Sequence, residues 1–513
     1  MKNLKVKNKN QLKIGAILSY INLFLGNIMG IIYTPIMLRI LGQAEYGLYT
    51  LSNSLIGYLG VLNFGLGNAI VRYTARYRAN NDKNREYNLN GMFLVVYSIL
   101  GVIVFLIGII FIKNSDNIFG KSLSLSELKT MKILLHIMVF NLAISFPFAI
   151  FDSIIIAYEK FIFQKVIGII RTIINPIIMI PLLFIGYKSV AMTILSTIIN
   201  ICCIFFNIHY CFKVLKIKVK FDDFDFVLLK EISFYSFFIF LNIIIDKIYW
   251  NTDQFILGAI VGSSAVAVYS IGSTFNTYYM SFSTAISNVF LPKISVMVDK
   301  NSTNKELSDL FIKVGRIQCY ILSFLLIGFI LVGKDFIYLW AGKGYNLAFY
   351  ITIIVMIPLT VPLIQNIGIS ILQAKNKHKF RSIVYLIIAI LNIFLTIPLA
   401  RWYGGVGAAI STGIAFFVGN IIIMNIYYHK KIGLDILTFW KEVCKIFFLA
   451  IIALISTSLL TSFVNTRTVL SIIVRATILT IIYVILIFKF GFNDYEKKLF
   501  INPLKKIYSK LRS

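Results

Sequence analysis

Acid is scarce in this chain. Only 21 Asp and Glu stand against 50 Lys and Arg in 513 residues, and all charged residues together make up 14%. Soluble globular proteins carry about 25% charge, so a water-soluble globule of this size is excluded. Histidine is scarcer still: His136, His209, His378 and His429 are scattered, with no paired metal-ligand spacing, which removes the usual zinc signatures. The five cysteines (Cys202, Cys203, Cys211, Cys319 and Cys444) show neither ligand nor redox spacing and lie in or beside apolar runs. They are expected to pack, and neither a disulfide framework nor a metal site follows from them. A Walker A sequence is missing, which argues against ATP as an energy source. No hydrophilic stretch can bury a core of its own; the longest are residues 72–90, 113–132, 213–230, 293–316 and the C-terminal tail. An outward-facing glycosyltransferase would need acids in a sizeable outer loop, and Ser115 to Lys129 offers only Asp116 and Glu127.

What the chain has is apolar length. Hydrophobic residues make up 58%, and about 20 in a row cross a bilayer core. The pattern predicts an all-α polytopic membrane protein with spans near 14–38, 47–71, 91–112, 133–155, 163–185, 190–211, 233–261, 266–290, 317–333, 347–372, 382–400, 406–427, 446–464 and 468–488. The first run has no small-residue cleavage site after it and is expected to be a retained helix. A net charge of +29 would point to nucleic acid in a soluble protein, but its distribution argues otherwise. Loops on one side, with both tails, carry 37 of the 50 Lys and Arg; the other side carries 10, and Arg171, Lys247 and Arg475 lie within spans. This is the positive-inside pattern, so both termini are expected in the cytoplasm and nucleic-acid binding is not expected. Trp340 and Trp402 suit the outer interface and Trp440 the inner one.

The chain also nearly repeats itself. PIMLRILGQAEYGLYTLSNSL from Pro35 lines up with FILGAIVGSSAVAVYSIGSTF from Phe255 at an offset of 220, placing Gly42 on Gly262 and Tyr49 on Tyr269. A second match, from Ala157 to Asn175 onto Ala374 to Asn392, has an offset of 217. The expected organisation is a six-helix lobe over 1–212, a cytoplasmic linker over 213–232, a second six-helix lobe over 233–429, two further helices over 430–490 and a basic tail over 491–513. Six intervening spans give both lobes one orientation, so a pseudo-two-fold axis should run along the membrane normal, with a substrate path between the halves.

Charges inside apolar runs mark the candidate site. The seventh span holds Asp246, Lys247 and Asp253. On a helix Asn242, Asp246, Trp250 and Asp253 form one stripe, and Lys247, Asn251 and Gln254 a second. Each mid-membrane charge costs roughly 2.5–3.5 kcal/mol unless it meets water or a partner, so this helix should line a wet cavity or form structural ion pairs. In the eighth span, thirteen of twenty residues from Tyr269 to Asn288 are Ser, Thr, Asn or Tyr, Tyr278 among them; such a helix belongs inside a bundle or against water. Arg171, followed by Thr172, Asn175 and Pro176, could take a phosphate bidentately or snorkel to the interface. Asn175 has a counterpart in Asn392, whereas Arg171 falls on Ile388. Arg72 and Arg76, at the mouth of the glycine-rich second span, could attract an anionic head group or anchor against anionic lipid.

Several stretches together resemble the polysaccharide flippases of the multidrug/oligosaccharidyl-lipid/polysaccharide superfamily, the Wzx-type O-antigen and capsule-unit translocases. They are LGQAEYGLYTLSNSL, LNFGLGNAIVRYTARY, NTDQFILGAIVGSSAVAVYSIG, FSTAISNVFLPKIS and WYGGVGAAISTGIA. The resemblance covers nearly the whole chain. It implies two six-helix lobes around a central cavity plus two helices, in a bacterial cytoplasmic membrane, moving undecaprenyl-pyrophosphate-linked oligosaccharide to the outer leaflet. It implies a cationic cavity to which Arg171, Lys247, Asp246 and Asp253 carry over as candidates; Asn251, Asn175, Tyr278 and Arg72 join them from the polar pattern. No cofactor is expected, and coupling to an H+ or Na+ gradient is left open. Partners would be the lipid-linked oligosaccharide, membrane lipids and proteins of polysaccharide assembly, with the chain itself a monomer. The alternatives are an ion-coupled multidrug exporter of the same superfamily and a membrane enzyme of cell-envelope synthesis.

Overall fold

The computed structural model describes residues 2–375, 377–464, 467–494 and 496–497. The described residues are helical almost throughout. In chain order the helices are α1 (Lys2–Leu59), α2 (Leu66–Ala79), α3 (Lys83–Phe119), α4 (Leu125–Ala157), α5 (Phe161–Phe184), α6 (Ser189–His209), α7 (Phe226–Ile260), α8 (Ser263–Asp299), α9 (Asn304–Trp340), α10 (Asn346–Ile364), α11 (Asn366–Ala374), α12 (His378–Phe416), α13 (Met424–Tyr427), α14 (Ile436–Leu460) and α15 (Val469–Leu486). Among the described residues, eleven helical stretches are long and apolar enough to cross a membrane. Two of these are double, because α1 breaks at Gly42 and α12 at Gly404. α7, whose 35 residues carry the charges of the seventh span, is a further long helix outside those eleven stretches.

Local chemistry explains the boundaries. Ser124 with Glu127, and Thr303 with Glu306, form reciprocal caps that satisfy the free N–H groups opening α4 and α9. Pro35, Pro147, Pro176, Pro181, Pro292, Pro358, Pro362 and Pro398 all sit within helices, as bilayer-spanning helices permit. The second span is less regular than its apolar run suggests. It passes through a 3-10 turn at Gly60–Asn63, and Phe64 and Gly65 take left-handed conformations before α2 begins.

The internal repeat has a physical basis in backbone geometry. Gly42 and Gly262, matched at 220, both have positive φ, 77° and 120°. A side chain is disfavoured there, and each glycine lets the chain reverse between two spans. Gly186 and Gly404 repeat this at an offset of 218, with φ of 101° and 56°. The π-helical turns Tyr210–Val214 and Tyr428–Ile432 share that offset. The matched asparagines make equivalent bonds: Asn175 Nδ2 donates to Ser196 Oγ and Asn392 Nδ2 to Thr412 Oγ1, each at 3.3 Å.

The chain divides into two compact units, Met1–Ser270 with Ala400–Gly404 and Ile271–Leu399 with Gly405–Ser513. In the first, Ile70, Phe93, Tyr97, Phe146 and Ile154 from α2, α3 and α4 form a closed core. The stretch after α6 is tied to α3. Lys220 N donates to the Tyr87 carbonyl at 3.1 Å, and Asn90 Nδ2 donates to the Lys218 carbonyl at 3.2 Å. In the second unit, α9 packs against α10, α14 and α15. There the buried Ser323 hydroxyl lies 2.9 Å from Tyr483 Oη.

Candidate functional site

Within the first unit, four helices turn polar side chains toward one another. On α5 these are Gln164, Arg171, Thr172 and Asn175, at spacings that hold them to one side of the helix. On α6 they are Ser196, Asn200 and Asn207, and on α4 Asn141, Ser145 and Asp152. The contacts form a continuous seam. Thr172 Oγ1 donates to Asn22 Oδ1 of α1 at 3.3 Å, and Asn175 reaches Ser196. Asn200 Nδ2 donates to Asn141 Oδ1 at 2.9 Å and to Ser145 Oγ at 2.8 Å. Asn207 Nδ2 donates to Asp152 Oδ1 at 3.2 Å. Gln164 also hydrogen-bonds the Asp152 carboxylate, and the Arg171 guanidinium lies within its electrostatic reach.

Arg171 and Asp152 are exposed, and the amides and hydroxyls between them are half-buried. Chemically this is an open polar face holding one cation and one anion. A guanidinium presents several donors in a planar fork suited to phosphate oxygens, while amides and hydroxyls can exchange hydrogen bonds with a sugar. Asp152 is the member that sequence reasoning missed. Its signal was present on α4 as a stripe of Asn141, Ser145 and Asp152, but the carboxylate sits near the end of the span, where charge is unremarkable.

The seventh-span residues are placed differently. Asp253 is 1% exposed and accepts a hydrogen bond from the Tyr269 hydroxyl. Asn251 Nδ2 donates to the Ser54 carbonyl at 3.1 Å, and Thr252 Oγ1 lies 2.6 Å from Tyr58 Oη. These bonds tie α7 to the second half of α1. Gly57 gives them room: a Cβ there would stand 2.5 Å from Asn251 Nδ2 and 3.6 Å from Lys247 Nζ. Lys247 is half-buried and Asp246 exposed. The structure brings Lys247 and Asn251 together beside Gly57, and does not bring them to Arg171.

Arg72 is exposed near the end of the second span, its guanidinium 5.9 Å from the Tyr73 ring centre. Tyr278, in the second unit, is half-buried and edge-on to Phe275 at 6.4 Å. Around it, much of the polarity of α8 goes into internal bonds. Tyr279 Oη lies 2.8 Å from Thr360 Oγ1, Ser283 Oγ donates to the Leu363 carbonyl at 2.8 Å, and Gln318 Nε2 donates to Ser287 Oγ at 2.7 Å.

A second buried polar cluster had no sequence signal. Arg316 of α9 is 4% exposed and Glu496 2%. Arg316 Nε and Nη2 donate to the two Glu496 carboxylate oxygens at 2.8 Å each. Nη2 also donates to the Gly491 carbonyl at 2.9 Å, and Nη1 pairs with Glu442. Intramembrane Arg475 is likewise paired, with Asp335 at 3.4 Å.

Known proteins share both sequence and fold with this chain. Residues 13–298 match a family model described as polysaccharide biosynthesis protein. A Shigella flexneri protein named for O-antigen transport is 25% identical over 400 residues, 76% of this chain and 91% of that one. A Haloferax volcanii protein named as a probable flippase is 28% identical over 182 residues, 33% and 36% of the two chains. Among solved structures, the lipid II flippase MurJ in an inward closed conformation aligns over 96% of this chain and 99% of its own. That alignment has a TM-score of 0.72 at 19% identity. An inward-facing multidrug resistance transporter of the MATE family aligns over 81% and 95%, with a TM-score of 0.64 at 14% identity. The fold is that of these transporters.

Proposed function

Because the chain belongs to the polysaccharide biosynthesis protein family, we propose that it carries undecaprenyl-pyrophosphate-linked oligosaccharide units from the inner to the outer leaflet of a bacterial cytoplasmic membrane, for surface polysaccharide assembly. The observation that carries this reading is the polar seam of α4, α5 and α6, with Arg171 on its open side. Such a substrate has to move a charged, many-hydroxyl head through an apolar slab while its prenyl tail stays in lipid. Arg171 supplies a donor fork for the pyrophosphate. Asn141, Ser145, Asn175, Ser196 and Asn200 stand in for the water that sugar hydroxyls leave behind, and Asp152 accepts from such hydroxyls with the guanidinium in electrostatic reach. Lys247 offers a second cation beside Asn251. Transport then follows from exposing this face to each side of the membrane in turn.

The test is a deletion strain complemented with wild type, Arg171→Ala, Arg171→Lys or Asp152→Asn, scored for surface polymer and for lipid-linked units on the inner leaflet. Deletion should abolish surface polymer and accumulate lipid-linked units. Losing the charge-assisted bonds of Arg171, worth about 1.5–3 kcal/mol, should slow transport roughly 10- to 100-fold at equal expression, with Arg171→Lys intermediate. Normal polymer in the deletion strain, together with loss of dye efflux, would instead identify a drug exporter.

A further inference from the structure

A different site lies at the end of the helices where α12 begins and the α13 segment ends. A cavity of about 600 Å³ there is lined by Lys377, Phe380, Ile423, Ile426, Tyr427, Lys430 and Lys431. Its walls are cationic and its floor is apolar. Phe380 and Tyr427 stack with ring centres 4.1 Å apart. Ile423 and Ile426 continue that surface away from the lysines, and Ile426 is 51% exposed. Two contacts hold the walls together: Lys377 Nζ reaches the Lys431 carbonyl at 3.5 Å, and the Tyr427 hydroxyl donates to the Lys377 carbonyl at 3.4 Å.

Among the described residues, none of the three wall lysines forms an ion pair with a carboxylate. The positive field is felt nearby. Burial, and then the charge of Lys377, hold the Lys375 ammonium below its ordinary range. Converging ammonium groups without a counter-charge favour an anion. The candidate span His378–Ile432 starts and finishes at this rim, so the lysines stand where an apolar crossing meets water. A soluble anion would use the lysines and leave the isoleucine strip idle. An anionic amphiphile uses both.

We propose that this rim pocket binds an anionic phospholipid, its phosphodiester headgroup between Lys377, Lys430 and Lys431 and its acyl chains along Ile423 and Ile426. The site is separate from the α4–α5–α6 seam, and the inference does not depend on what that seam transports.

The experiment is native mass spectrometry of the full chain in detergent, titrated with phosphatidylglycerol or phosphatidylcholine. Wild type should retain phosphatidylglycerol over phosphatidylcholine. The triple variant Lys377→Gln/Lys430→Gln/Lys431→Gln should weaken phosphatidylglycerol binding roughly tenfold to a hundredfold. The three lysines are exposed, so the variant's unfolding temperature in lipid-free detergent should match wild type; the three single variants, each expected to weaken binding by part of that amount, provide a second route should the triple variant misfold. Ile426→Asp should weaken long-chain phosphatidylglycerol while leaving all three lysines in place. Undiminished phosphatidylglycerol binding in the lysine variants would overturn the proposal, as would equal retention of phosphatidylcholine. Displacement of the lipid by equimolar inorganic phosphate would also overturn it, and would reassign the pocket to a soluble anion.

Discussion

Glu496→Ala is expected to be among the most destabilising single substitutions in the chain, although it lies beyond the last apolar helix. It leaves Arg316 buried with its principal counter-charge gone, and breaking a buried ion pair from one side costs about 3–5 kcal/mol. Glu442, the remaining carboxylate, is 40% exposed at its side chain and better solvated. Tyr320 belongs to the same unit: its hydroxyl donates to the Gly491 carbonyl and to Glu496, each at 2.9 Å. Glu496 in turn closes a local turn, accepting from Asn493 N and donating its own N–H to Asn493 Oδ1, both at 2.9 Å. The readouts are thermal unfolding of the purified chain and protease cleavage at the residues around Glu496, which should become faster.

Two controls separate charge from packing. Arg316→Met combined with Glu496→Leu removes both charges and fills the space, so it should recover most of the stability lost by Glu496→Ala. If the double variant is as unstable as the single one, the pair is not the cause. Acid provides the other control. Burial works against the Glu496 carboxylate, but the bonds from Arg316 and the Asn493 backbone outweigh it and hold its pKa below the usual range. Its contribution is therefore fully present above the ordinary carboxylate pKa, about 4.3, and is lost as the pH falls through the lower folded value. Protease sensitivity in wild type should rise only in that acid window, and Glu496→Ala should already be sensitive at neutral pH.

Gly47→Ala is the second large effect. Gly47 lies in the second half of α1, and a Cβ on it would stand 1.9 Å from the Ser263 backbone carbonyl oxygen at the start of α8. Backbone cannot yield as a side-chain tip can. One methyl group must therefore push α8 away from α1, in a region where Ser263 also donates a hydrogen bond to Glu127. Overpacking of this kind costs about 1–3 kcal/mol and sometimes more. Gly91, whose Cβ would meet the Lys220 carbonyl at 1.8 Å, should behave alike. Gly26→Ala is the matched control: nothing lies within 4 Å of its Cβ, and alanine is the better helix former. Unfolding temperatures followed by size-exclusion fluorescence should fall by several degrees or more for Gly47→Ala and Gly91→Ala, and hold or rise for Gly26→Ala. An unchanged Gly47→Ala would mean that α1 and α8 do not approach as described.

Arg171 was legible in the sequence because a lone cation in an apolar run is visible on one helix. Its setting was not. That the Asp152 carboxylate comes within its electrostatic reach, and that Asn207 bonds that carboxylate, depends on how α4, α5 and α6 are rotated about their axes, which no single-helix pattern encodes. The seventh-span stripes show the converse. Asp246 and Asp253 share a helical face by spacing, yet Asp253 is sealed against Tyr269 while Asp246 is exposed, because burial is set by the neighbouring helix and changes along the face. The polarity of α8 was evident residue by residue, but not that Tyr279, Ser283 and Ser287 would spend it on α9 and α10.

The sequence by itself determined the helical class, the succession of apolar spans, the family resemblance and the repeat. Each of these is local. A span is a run of apolar side chains, and the matched Gly42 and Gly262 mark places where the backbone turns with positive φ. Only the tertiary structure decided which polar groups meet: Asn207 with Asp152, Asn200 with Asn141, and Arg316 with Glu442 and Glu496, 126 and 180 residues away. Such partners are chosen by helix rotation and by the high cost of leaving a charge or amide unpaired in an apolar interior, and that cost is resolved only when the whole bundle packs.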